Sequence, residues 1–144
     1  MQNHQRTMRV RLVLKSVILS MIVLSTGFSL LMAREAGKVE IVIRNSTFEF
    51  QGGALRPDQA GTLFLSNLDK IRHGFTSPLL EELEVRVESA GGIAYGKGIK
   101  GVYINPGETL QIHLTPNRAG SFSFRCDIHP DMKGELLLLS VEGV

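Results

Sequence analysis

Cys126, His129 and Met132 lie within one seven-residue stretch of the 144-residue chain, and Cys126 is its only cysteine. A thiolate, an imidazole and a thioether at intervals of three residues make a soft donor set, which selects copper or zinc over hard cations such as magnesium or calcium. Three donors from one short loop leave a metal incompletely held, so a further histidine from elsewhere is required. His73 is the leading candidate. His113 is a competitor, but it alternates with Leu110, Ile112 and Leu114. If those three face inward, His113 faces solvent. His4 falls in a segment of a different kind.

Cysteine and histidines with a weak axial methionine are the donor set of blue-copper electron-transfer sites. Other chemistries fit less well. A binuclear copper site needs a second cysteine, and a structural zinc site lacks the usual paired spacing of Cys or His. Gly91 to Lys97 nearly matches a phosphate-binding loop, but Gly98 stands where the hydroxyl residue would hold magnesium, and no helix follows. No nucleophile, base and orienting group are arranged for hydrolysis, so no enzymatic activity is expected.

The elements that must position these residues begin after residue 33. Residues 1–15 carry Arg6, Arg9, Arg11 and Lys15 and no acid, and residues 16–33 are uncharged and mostly apolar. A basic start followed by an apolar run is the pattern of a secretory signal. The run is also long enough to span a bilayer as an uncleaved anchor with its basic tail inside. Both readings export residues 34–144 to a periplasmic or other extracytoplasmic space. Four of the sixteen Lys and Arg precede residue 34, so residues 34–144 hold twelve cations against all fourteen acids, a formal −2. No polybasic face remains to suggest nucleic-acid binding. An exported chain with one cysteine forms no internal disulfide, which leaves the thiol free or bound to metal.

Residues 34–144 read as a single all-β domain. Lys38 to Asn45 alternates, with Val39, Ile41 and Ile43 on one face. Asn45-Ser46 is expected to turn, Thr47 to Gln51 to be extended, Gly52-Gly53 to punctuate, and Gly61 to Leu68 to form an apolar strand. Leu79 to Glu88 suits a short helix or turn and then a strand. Ala90 to Gly101 is dense in glycine and is expected to be a mobile loop. Val102 to Ile104, Thr109 to Thr115 and Gly120 to Cys126 read as strands, the last with Phe122, Phe124 and Cys126 on the core side. Gly134 to Val141 reads as a buried closing strand. Short strands between Gly and Pro turns indicate a β-sandwich, large enough to bury one core without a disulfide.

Three stretches carry a resemblance to a known family. Asn67 precedes His73-Gly74-Phe75; Tyr103-Ile-Asn-Pro-Gly-Glu-Thr-Leu-Gln-Ile112 leads into an alternating strand; and Gly120 to Gly134 holds Cys126-x2-His129-x2-Met132. Together they resemble the cupredoxins, the small blue-copper proteins that include plastocyanin, azurin and amicyanin, with the short ligand loop of the last. The resemblance spans most of residues 39–141. It implies an eight-stranded Greek-key β-sandwich holding one copper ion that cycles between Cu(I) and Cu(II). His73, Cys126 and His129 would be equatorial ligands and Met132 the axial one. It further implies transient docking near His129 by redox proteins such as cytochromes or copper oxidases. The same fold could instead carry copper for delivery, storage or sensing, or serve only as an interaction domain. Two positions depart from the family: Gly74 stands where an asparagine is frequent, and Asp127 where a hydroxyl residue is frequent. An acid beside the thiolate favours Cu(II) electrostatically.

Overall fold

The computed structural model describes residues 36–140. The basic and apolar stretch over residues 1–33, read as a signal peptide or anchor, and the end of the closing stretch at Val141 lie outside the described residues. Among the described residues no helix is long and apolar enough to cross a membrane.

Alternating apolar and polar residues fold into ten strands: β1 Gly37–Arg44, β2 Thr47–Ala54, β3 Gly61–Asn67, β4 His73–Thr76, β5 Glu84–Ser89, β6 Gly92–Lys97, β7 Gly101–Ile104, β8 Thr109–Leu114, β9 Gly120–Arg125 and β10 Lys133–Leu138. They form one sheet in the order β2-β1-β3-β8-β5-β6 and another in the order β10-β9-β4-β7. β1 and β3 run parallel, and the remaining pairs are antiparallel. Among the described residues, one short helix, α1 Pro78–Glu81, leads into β5. Its start follows from local chemistry: Ser77 Oγ accepts the Leu79 N–H, and Pro78 occupies the first turn, where no N–H is needed.

The inward side chains of both sheets meet in one core, from Val39, Ile41 and Ile43 on β1 to Phe122 and Phe124 on β9 and Leu136 and Leu138 on β10. Its centre is aromatic. Phe75 stacks on Phe124 at 4.9 Å between ring centroids, and Phe48 meets both rings edge-on. This pair fixes the site. His73 lies two residues before Phe75 on β4, and Cys126 lies two residues after Phe124 on β9. With a side-chain period of two, joining the phenylalanines brings His73 and Cys126 to the same inner face at the same end of the sandwich.

Three expectations require correction. Ala90 to Gly101 is not a loop: β6 pairs with β5 from Glu84↔Lys97 to Ser89↔Gly92 and extends the larger sheet. Glycine density masked the alternation of Ile93 and Tyr95. Gly96 serves close packing, because a Cβ there would press on Ile99. Gly52-Gly53 does not end β2, which continues to Ala54 past a bulge opposite Glu40 and Ile41. The closing strand is half-buried rather than buried, with Leu136 and Leu138 inward and Leu137 exposed.

Candidate metal centre

Each candidate ligand is held by backbone pairing on at least one side. His73 opens β4 and faces Ile104 of β7 across the ladder. Cys126 directly follows β9, and the chain then loops before β10 begins at Lys133. The loop is closed by its own backbone: the Cys126 N–H donates to the Met132 carbonyl at 3.0 Å, and the Met132 N–H donates to the His129 carbonyl at 3.0 Å. Pro130 contributes no N–H and stiffens the turn between them. Cys126, His73 and Met132 are buried, and His129 is partly exposed.

The structure brings His73, Cys126 and His129 together, with one donor atom from each and all three within 4.8 Å of one another. Cys126 Sγ lies 4.0 Å from His73 Nδ1 and 3.5 Å from His129 Nδ1. The imidazole rings approach to 4.7 Å at 51°. A metal bound about 2.3 Å from sulfur and about 2.0 Å from nitrogen separates those donors by roughly 3.5–3.7 Å at tetrahedral or trigonal angles. The observed separations of 3.5 and 4.0 Å lie at the lower end of that range and slightly above it, so a small adjustment lets the donor set hold a metal ion. Met132 is buried at the end of the same loop. His113 is remote from this cluster: its Nδ1 bonds Thr62 Oγ1 at 3.0 Å and its Nε2 lies 3.5 Å from Glu88. It is on the outer face as its alternation requires, though half-buried there rather than open to solvent.

The surroundings are built to orient these donors. His73 Nε2 lies 2.9 Å from Asp69 Oδ2, which leaves Nδ1 directed at the thiol. Such a carboxylate fixes the tautomer and the ring plane of a metal-binding histidine. Asp69 is itself anchored. Asn45 and Ser46, at φ 52° and 55°, form the two-residue turn between β1 and β2. Their N–H groups donate to Oδ1 and Oδ2 of Asp69 at 2.7 and 2.8 Å. The Ser46 N–H is the main cause that holds the Asp69 carboxyl below its ordinary value; the Asn45 N–H and His73 add to it, and desolvation opposes it. Asn67, fully buried, ties the loop from below: its amide donates to the carbonyls of Ile71, Ile104 and Asn105, and its Oδ1 accepts the Asp69 N–H. On the sulfur side, the Gly74 N–H donates to Cys126 Sγ at 3.1 Å. Asp127 accepts the Tyr103 hydroxyl at 2.5 Å, which pushes the phenol above its ordinary value.

Comparison with solved structures returns copper proteins. The chain superimposes on part of the McoA multicopper oxidase from the hyperthermophile Aquifex aeolicus (TM-score 0.52, 12% identity, 74% of this chain and 30% of that one). It is similarly related to a copper nitrite reductase from Nitrosomonas europaea (0.51, 10%, 78% and 52%) and to a multicopper oxidase from Pediococcus acidilactici (0.52, 15%, 78% and 28%). The fold is cupredoxin-like. At these identities the likeness carries the fold and not the activity, and the chain spans about half or less of each of those proteins. No family model and no curated protein matches the sequence. The cupredoxin-like sandwich here has ten strands where eight were expected, with the β5–β6 hairpin widening the larger sheet.

Asp69, which holds the His73 ring at 2.9 Å, is a site residue that sequence reasoning missed. Its only signal was position, four residues before His73, and that spacing is uninformative in a loop. Tyr103 was visible within a motif, but nothing in the sequence showed its hydroxyl meeting Asp127.

Proposed function

We propose that the protein is a type 1 copper protein that carries single electrons between redox partners outside the cytoplasm. The convergence of His73 Nδ1, His129 Nδ1 and Cys126 Sγ supports this reading, with the thiol buried and accepting a backbone N–H. In it, His73, Cys126 and His129 would hold one copper ion, with Met132 as a further and weaker ligand. Bound copper would supply the one-electron couple between Cu(I) and Cu(II).

The chain's own groups do the rest. The β4–β7 ladder, the Asp69 contact and the closed loop from Cys126 to Met132 hold the donors in place, so little rearrangement accompanies a change in charge. Burial of Cys126 and His73 keeps water from the donors. His129 is the most exposed of the three, and Ile128 beside it and Ile71 and Leu68 on the loop before His73 are exposed apolar residues. That end of the sandwich suits brief docking by a cytochrome or a copper oxidase, since a shuttle must also dissociate. The protein's role is carriage rather than catalysis.

Adding Cu(II) to the protein should produce an intense blue thiolate-to-copper absorption that Cys126→Ser abolishes, followed by reversible one-electron voltammetry. A colourless protein would overturn the proposal. A blue protein with no electron exchange with any cytochrome would favour copper delivery or storage.

A further inference from the structure

Gly74 and Asp127 are the two positions where the chain departs from the family it resembles, and they touch. Thr76 pairs with Arg125, so continuing the antiparallel register of β4 and β9 sets Gly74 opposite Asp127. A Cβ on Gly74 would overlap Asp127 Oδ1 and lie 3.2 Å from Cγ. Gly74 has no positive φ, so its backbone conformation is open to any residue. The glycine is there for room, and the room is filled by the carboxylate.

The carboxylate is held in that place. Its other oxygen, Oδ2, accepts the Tyr103 hydroxyl at 2.5 Å. Tyr103 faces Gly74 across the β4–β7 ladder, and the Arg72 guanidinium covers its ring at 4.1 Å. Three strands therefore converge on one point: β4 through Gly74, β7 through Tyr103, and the end of β9 through Asp127. At that point the Gly74 N–H meets Cys126 Sγ at 3.1 Å. Asp127 is exposed, yet one of its oxygens packs on a glycine and the other accepts a phenol.

We propose that Tyr103 and Asp127 are positioning residues that latch the cysteine end of β9 onto Gly74 and thereby hold the Gly74 N–H on the Cys126 sulfur. The Gly74 N–H stabilises negative charge on sulfur, and the latch keeps it aligned from the surface side, where no core packing can. The inference builds on the proposed copper function, but its structural half concerns the metal-free protein.

The test is a stability cycle with an exchange measurement, both on the metal-free full chain. Gly74→Ala should lower the unfolding midpoint, and the loss should shrink or vanish in the Asp127→Ala background, where the space is free. If Gly74→Ala alone fails to fold while the double variant folds, the coupling is shown in stronger form. Tyr103→Phe, which removes only the hydroxyl, should raise amide exchange at Gly74 by up to about tenfold, the equivalent of a typical hydrogen bond, while Phe75 and Phe124 amides stay unchanged. In copper-loaded protein the same variant should shift the thiolate-to-copper band and lower the reduction potential, because less N–H stabilisation remains for the electron-rich sulfur. Additive effects of the two substitutions, a double variant that does not fold, or unaltered Gly74 exchange in Tyr103→Phe would overturn the latch. Absence of a blue band in every variant would remove the copper reading and leave the metal-free cycle to decide the latch.

Discussion

Asp69→Ala is the substitution whose consequence can be worked out most fully. Among the described residues, Asp69 is the only hydrogen-bond partner that His73 Nε2 has, and the His73 side chain is fully buried. Removing the carboxylate strands a polar nitrogen away from water, a loss of about 1–3 kcal/mol. The Asn45 and Ser46 N–H groups also lose their acceptor, but the turn is exposed and water can replace it, which adds about 1 kcal/mol. The total is about 2–4 kcal/mol, read as a lower urea midpoint at unchanged m-value. Metal affinity should fall by roughly 10–100-fold, as it does when the partner of a ligating histidine is removed. Asp69→Asn, which keeps one acceptor oxygen, should lose less of both. The pH dependence has a definite sign. The carboxyl titrates lower in the folded protein than its ordinary 3.8. Its contribution is therefore complete above that value and is lost as the pH falls through the lower folded one, so wild type and Asp69→Asn converge in acid. A loss below about 1 kcal/mol, the range of an ordinary exposed ion pair, would refute the reasoning.

Other consequences follow from the same contacts. Asn67→Ala should destabilise by about 2–4 kcal/mol in chemical denaturation, because it leaves carbonyls from two segments unpaired beneath the His73 loop. Gly134→Ala should also destabilise, since a Cβ there would strike the Phe124 ring, and Phe124→Leu in the same chain should recover part of the loss. His113→Gln should leave copper stoichiometry and the blue absorption unchanged, as His113 is on the outer face with Thr62 and Glu88. Amide exchange along β6 should show protection alternating with its pairing to β5, which a mobile loop would lack.

Much of the architecture was legible because period-two patterning reports a half-buried strand directly, as in Val39, Ile41 and Ile43 or Phe122, Phe124 and Cys126. The same pattern put Cys126 inward at a strand end and His113 outward, and both placements agree with the structure. Patterning failed at β6, where one face is glycine and alanine and the other carries exposed Ile93 and Tyr95. A strand added at a sheet edge buries little, so it leaves little hydrophobic signal. Within the candidate site, the loop from Cys126 to Met132 was legible because its three candidate donors are local in sequence. His73 was accessible through elimination among the histidines and through the family resemblance, and the structural reason for choosing it is the stack of Phe75 on Phe124, a contact between distant strands.

The contacts that hold the donors were hidden for a different physical reason. Asp69 reaches His73 only because a turn 23 residues upstream presents two N–H groups that fix its carboxylate. Asp127 can lie against Gly74 only because β4 and β9 are neighbours. Ligand types are chosen by the chemistry of the metal and so recur in a recognisable order, whereas a bracing group can come from whichever strand the fold places nearby. Gly74 and Asp127, read singly, are two unexplained departures from the family pattern. As a contacting pair they account for each other, since the absent Cβ of one is the space that the carboxylate of the other occupies.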